Sequence, residues 1–177
     1  VSIQDNKSNS ELFVMNSDGT EKKQLTITNN RETNPVWIND GHKIAFLGNE
    51  TGTSQIWSMN PDGGGMRQIS NIDGGINGFS FSPDGKKVLF VKDVISIETA
   101  PDRYSDLPQA SGRIVDDLMY KHWDHWVESV PHPFIADLNG SSLSNIKDIM
   151  EGELYESPLA PFGGMEQLAW SPDSKTI

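Results

Sequence analysis

From residue 11 to residue 16 apolar and hydrogen-bonding side chains alternate, the period of a half-buried strand. Asp18-Gly19 follows, and glycine there accepts the positive φ of a tight turn. Residues 22–26 form the returning strand. The pattern then repeats. Leu12-Phe13-Val14-Met15-Asn16-Ser17-Asp18-Gly19 returns as Ile56-Trp57-Ser58-Met59-Asn60-Pro61-Asp62-Gly63, and Trp37 to Phe46 returns as Phe81 to Phe90, both after 44 residues. A third copy, Trp170-Ser171-Pro172-Asp173-Ser174-Lys175-Thr176-Ile177, lies 89 residues after the second, close to two periods. Short apolar runs and tight turns at this period predict propeller blades. The expected fold is all-β, a partial β-propeller of four-stranded antiparallel blades.

The pattern divides the chain into a half blade at 11–26, a full blade at 34–70, a second full blade at 77–149 and the start of another at 165–177. In the first full blade the strands fall at 34–38, 43–47, 55–59 and 66–70, turned by Asp40-Gly41 and Asp62-Gly63. Trp37, Phe46 and Trp57 are expected between blades, where large aromatics bury most area. The second full blade turns at Asp84-Gly85, but its third strand, 134–138, arrives about 33 residues late. Residues 95–131 are therefore a mostly helical insertion between the second and third strands. Val115, Leu118 and Met119 have helical spacing there, predicting one helix over 116–126. Two open sheet edges would expose unpaired backbone. The chain is thus expected to belong to a larger ring or to form a homodimer. In the homodimer the trailing half of one chain pairs with the leading half of its mate in a two-fold, six-bladed ring.

Lys and Arg number 14 against 25 Asp and Glu, a net charge of -11, and such a surface repels phosphate backbones. Nucleic acid is not an expected partner. The chain has no cysteine, so neither a disulfide nor a thiol nucleophile is available. No apolar run approaches the roughly 18 residues needed to span a bilayer. Val1-Ser2-Ile3-Gln4-Asp5 is neither an initiator methionine nor a signal peptide, and is expected to begin a mature or excised chain.

The densest functional chemistry is His122-Trp123-Asp124-His125-Trp126, followed by His132. On a helix, His122 and His125 could reach one metal, with His132 or Asp124 adding a ligand. Histidines bonded to backbone and tryptophans fixing the insertion to its blade are the favoured reading, so no metal and no cofactor are expected. Tyr120, His122, Trp123 and Trp126 are the candidates for a rim or cavity wall. Asp18, Asp40, Asp62 and Asp84 sit in separate turns, without the alternating ligands of a calcium loop. Gly63-Gly64-Gly65 lacks the strand–loop–helix setting and lysine of a phosphate cradle. No Gly-x-Ser-x-Gly elbow occurs, and no catalytic residue is assigned.

Met15-Asn16-Ser17-Asp18-Gly19, Met59-Asn60-Pro61-Asp62-Gly63 and Phe81-Ser82-Pro83-Asp84-Gly85-Lys86 resemble repeats of TolB-type and peptidase-associated propellers. The run from Arg113 to Trp126, with 134–138 and 157–164, resembles the N-terminal propeller of bacterial prolyl-oligopeptidase-family serine peptidases of the dipeptidyl- and acylaminoacyl-peptidase types. That resemblance implies a propeller gating a separate α/β-hydrolase domain that holds Ser, Asp and His, none of them in these residues. It also implies short peptide substrates and a periplasmic or otherwise exported protein. The Glu-Glu pair with which one branch holds a substrate's amino terminus is not seen, and Glu128 stands isolated. The competing expectations are a non-enzymatic TolB-like periplasmic scaffold for a protein or peptide and, more faintly, a carbohydrate-related propeller.

Overall fold

The computed structural model describes residues 9–95, 98–115, 121, 122, 124–159 and 162–177, with backbone alone at His122 and His125. In chain order the elements are β1 (Phe13–Val14), β2 (Lys23–Gln24), β3 (Glu32–Ile38), β4 (Lys43–Gly48), β5 (Gln55–Met59), β6 (Arg67–Gln68), β7 (Gly78–Phe81), β8 (Lys87–Ile95), α1 (Ala100–Arg103), β9 (Lys121–His122), β10 (His125–Trp126), β11 (Ser129–Asn139) and β12 (Ser142–Asp148). A 3-10 turn at Met165–Gln167 follows. Pairing is antiparallel throughout these strands. β3-β4-β5-β6 and β7-β8-β11-β12 form two four-stranded sheets, while β1-β2 and β9-β10 are two-stranded. The fold is all-β, an open, partial propeller.

Two kinds of turn set the strand ends. In the first, Asn16 N donates to Thr20 O at 2.9 Å and Gly19 N to Asn16 O at 2.9 Å, while Asp18 Oδ1 accepts from Thr20 N at 2.9 Å. One repeat later Asn60 N donates to Gly64 O at 2.8 Å, Gly63 N to Asn60 O at 2.9 Å, and Gly64 N to Asp62 Oδ1 at 2.8 Å. Glycine is needed at 63 because φ is +87° and a β-carbon would sit 3.0 Å from the Leu25 carbonyl oxygen. Lys23 Nζ donates to Asp62 O at 2.8 Å, so the β1-β2 ribbon is tied to that turn.

The second kind is Ser-Pro-Asp. Ser82 N donates to Lys87 O and Gly85 N to Ser82 O, with Ser82 Oγ donating to Asp84 Oδ1 at 2.7 Å. Ser171 N donates to Thr176 O and Ser174 N to Ser171 O, with Ser171 Oγ donating to Asp173 Oδ1 at 2.7 Å. The two turns touch, since Asp84 N donates to Ser174 Oγ at 3.0 Å. Hydroxyl donors, chiefly Thr20, Ser82 and Ser171, hold the carboxyls of Asp18, Asp84 and Asp173 below the usual aspartate range.

β4 is buried on both faces. Ala45 and Leu47 join Ile56, Ile69, Phe79, Val88 and Phe90 between the two four-stranded sheets. Ile44 and Phe46 point the other way, joining Trp57, Met59 and Leu12 beneath β1 and β2. Trp57 Nε1 donates to Gly48 O at 3.1 Å, so the buried indole is satisfied. Phe90 and Phe134 are cross-strand partners, and their rings stack at 5.4 Å.

Trp37 is not buried as expected. It is 56% exposed, because it faces the space beside β1 where no described strand lies. Repeat positions show the same effect: Trp57 is 8% exposed while Phe13 is 50%, and Met59 is 0% while Met15 is 61%. Of the expected helix over 116–126, residues 121, 122, 125 and 126 are strand. His122 faces His125 and Lys121 faces Trp126 in a tight ribbon, and residues 116–120 lie outside the described residues. Within the insertion, the helical part described is α1, closed by a reciprocal Thr99–Asp102 capping box with Pro101 in its first turn.

His132, buried on β11, joins three segments. Nδ1 lies 2.9 Å from Asp148 Oδ2 on β12, and Nε2 lies 3.1 Å from the Tyr155 carbonyl oxygen. Each ring nitrogen thus has an oxygen within hydrogen-bond distance. Ser157 N donates to Pro131 O at 2.8 Å, holding the 149–157 loop against the same strand.

Phe46→Ala should lower unfolding free energy by about 3–5 kcal/mol, against less than about 1 kcal/mol for exposed Trp37→Ala, read from urea titrations. His132→Ala should speed amide exchange of Ser157 at least about tenfold, the loss of about 1.4 kcal/mol of local protection. The turn carboxyls titrate below their unfolded values, so their stabilisation is full above the ordinary aspartate pKa and is lost as pH falls through the lowered one. Asp84→Asn should therefore flatten the acid limb of the stability profile.

Candidate functional site

The insertion is carried on a ribbon that continues the second sheet outward. β8 and β11 pair without a break from Lys87–Asp137 to Ile95–Ser129, well past the end of β7. Beyond the ribbon, Thr99, the N-cap of α1, forms an isolated antiparallel bridge with Arg113. Glu98 accepts from Arg103 Nε at 2.7 Å at the helix.

Of the four rim candidates, Trp126 has a described side chain. Its ring meets two cations, Arg113 with Cζ 4.7 Å from the ring centre and Lys121 with Nζ at 4.4 Å. Such contacts favour a half-exposed indole held at a fixed angle. Beside it, Glu128 Oε1 accepts from Arg113 Nε at 2.8 Å and from Nη2 at 2.5 Å. The fork fixes Arg113, and Arg113 in turn fixes the ring. His122 is placed by backbone opposite His125, and Tyr120 and Trp123 lie outside the described residues. His122 and His125 are cross-strand partners rather than an i, i+3 pair on a helix, and both nitrogens of His132 have partners elsewhere. Among the described residues no group of three or more His, Asp and Glu is arranged to hold a metal ion.

At the root of the ribbon lies a cleft of about 280 Å³ between Gly78, Val91 and Pro131 on one side and Pro158 and Met165 on the other. Its polar edge is Asp93, whose Oδ1 accepts from Asn77 Nδ2 at 2.8 Å. A β-carbon at Gly78 would stand 2.5 Å from Met165 Cγ, so glycine lets the 3-10 turn seat on β7. The cleft can take an apolar group while Asp93 accepts a hydrogen bond. Its members were not visible as a site in sequence, because they come from four separated stretches; the prolines and glycines of 157–164 are the signal that could have pointed there.

No helix among the described residues is long and apolar enough to cross a membrane. The family described as the TolB beta propeller domain matches residues 1–103. A dipeptidyl-peptidase 5 from Porphyromonas gingivalis is 53% identical over 99% of this chain and 26% of its own length. The dipeptidyl-peptidase 5 of Porphyromonas endodontalis is 45% identical over 99% of this chain and 26% of its own. This chain thus spans about a quarter of the length of these relatives. An acylaminoacyl peptidase solved with Z-Gly-Gly-Phe-chloromethyl ketone superposes with a TM-score of 0.61 at 17% identity, over 83% of this chain and 22% of that one. TolB from Acinetobacter baumannii gives 0.51 at 22% identity, over 80% and 26%. These two likenesses concern the fold. The chain belongs to the TolB β-propeller family, as a propeller region homologous to part of the larger bacterial dipeptidyl-peptidases.

Proposed function

We propose that these residues are the substrate-gating propeller of an exported serine peptidase acting on short peptides, with nucleophilic acyl transfer carried out elsewhere in the protein. The observation that carries this reading is the 53% identity to a dipeptidyl-peptidase 5 across 99% of the chain. At that level the insertion is shared along with the blades, and the insertion is the part a generic propeller would lack. The arm built on β8 and β11 supplies one wall of the reaction cavity. Trp126, steadied by Arg113 and Lys121, presents an apolar surface to a peptide. A peptide reaches it through a rigid, acidic ring that excludes folded protein.

The space beside β1, lined by Leu12, Phe13, Met15 and Trp37, is the place of an inner hairpin of the leading blade. The additional length of the relatives is enough to supply that hairpin from the same chain. A homodimer completing the blades would instead double the native mass.

The test uses the whole protein with dipeptidyl and N-acylated p-nitroanilides. Release of p-nitroaniline from unblocked dipeptides, abolished by a serine-directed phosphonate, is the expected result. Trp126→Ala should raise KM about three- to tenfold with kcat within about twofold, the pattern of a residue that binds substrate and transition state alike. Absence of hydrolysis with every substrate, in a folded protein of full length, would favour the TolB-like scaffold.

A further inference from the structure

The cleft at the root of the ribbon has an apolar floor and a polar mouth. Val91 and Pro158 are buried, Pro131 and Met165 half-buried, and Asn77 and Asp93 exposed. Glycine at 78, 163 and 164 keeps further side chains out of it. Its volume of about 280 Å³ suits one side chain rather than a drug-sized molecule. Asp93 follows the last β7–β8 pair, Gly78–Val91, by two residues and precedes the last β8–β11 pair, Ile95–Ser129, by two. The mouth therefore lies at the end of the sheet from which the arm rises.

Two bonds fix that mouth. Asn77 N donates to Val91 O at 2.8 Å, and Asn77 Nδ2 donates to Asp93 Oδ1 at 2.8 Å. A carboxylate only accepts, so the second bond also sets the amide, leaving Asn77 Oδ1 as an acceptor. Asp93 Oδ2 and Asn77 Oδ1 thus both call for donors, and no described side chain supplies one. Nor does a described basic group pair with Asp93. Lys92, its neighbour on β8, turns to the other face, where Nζ donates to Asp73 O at 2.9 Å and lies 5.7 Å from the Phe134 ring centre.

Two acceptor oxygens and a negative charge above an apolar floor match an ammonium attached to an apolar group. A peptide offers that combination at an unblocked amino-terminal residue. An interior residue lacks the charge, and a lysine entering head first would carry its charge onto the apolar floor. We propose that the cleft is the subsite for the free amino-terminal residue of a peptide. Asp93 Oδ2 and Asn77 Oδ1 accept from the α-ammonium, and the apolar side chain enters between Val91, Pro158 and Met165. The inference rests on the peptidase reading and deepens it, because an amino terminus held at one point fixes which peptide bond lies two residues further on. An acylated peptide, without the charge, gains nothing from Asp93.

The whole protein, wild type and Asp93→Asn, is compared on matched unblocked and N-acetylated dipeptidyl p-nitroanilides. The substitution should lower kcat/KM for unblocked substrates at least about tenfold, as loss of a charge-assisted hydrogen bond does. Turnover of acetylated substrates should stay within about twofold. A merely structural role for Asp93 would depress both alike. That result, or no change in either, would overturn the proposal and leave the peptidase reading standing. Binding is read separately by ligand-observed NMR with leucinamide and N-acetyl-leucinamide, so the proposal is decided even if no p-nitroanilide is cleaved. Leucinamide should bind the wild type with Kd of about 1–10 mM, the range for a ligand of this size. It should bind Asp93→Asn at least about tenfold more weakly, while N-acetyl-leucinamide should not distinguish the two. Leucinamide binding undiminished by the substitution, or absent from the wild type up to about 50 mM, would also overturn it.

Discussion

The structure depends on sheets that are apolar on both faces. Ile44, Ala45, Phe46 and Leu47 are consecutive and all buried, and alternate residues enter different cores. A strand of this kind cannot rest against water on either side, so each four-stranded sheet needs a neighbour before it and another after it. β8 obeys the same constraint: Val88 and Phe90 face the first sheet, while Val91 faces Met165 and Pro158. The repeat is thus more than a sequence regularity. It is the condition under which any one sheet can bury its surface, and the exposed Phe13, Met15 and Trp37 mark where the condition is unmet by the described strands.

Against that background, what could be read from sequence divides by range. Asp18-Gly19, Asp62-Gly63 and Ser82-Pro83-Asp84 announce turns because their geometry is settled within four or five residues. The apolar runs of β4, β5 and β8 announce strands for the same local reason. Trp37 misled because its burial is decided by strands outside its own sheet. The 116–126 stretch misled differently. Extending the helical spacing of Val115, Leu118 and Met119 covers residues where Lys121 and Trp126 are cross-strand partners in cation–π contact. Periodicity alone does not separate these cases over so few residues.

The candidate site was legible in kind and not in composition. Trp126 could be picked out as an aromatic near charges, but the Glu128–Arg113–Trp126 chain of contacts could not, because it closes an intervening loop. The cleft joins Gly78, Pro131 and Met165, which no local signal connects. Glu11 and Glu32 are farther still from legibility, since each alone is an ordinary glutamate. They share Thr28, which donates to both.

The ribbon of β8 and β11 has a mechanical consequence. Both strands run from within the second sheet to the insertion, with nine successive residue pairs from Lys87–Asp137 to Ile95–Ser129. At about 3.4 Å per residue this is a beam whose inner part, Val88 to Val91, is buried and paired with β7 and whose outer end carries the arm. Any change in the tilt of that sheet is delivered at the arm as a larger sideways displacement, in the manner of an oar in a rowlock. The interlocking Ser-Pro-Asp turns at Asp84 and Ser174 lie at the clamped end, so the torque that repositions the arm is resisted there.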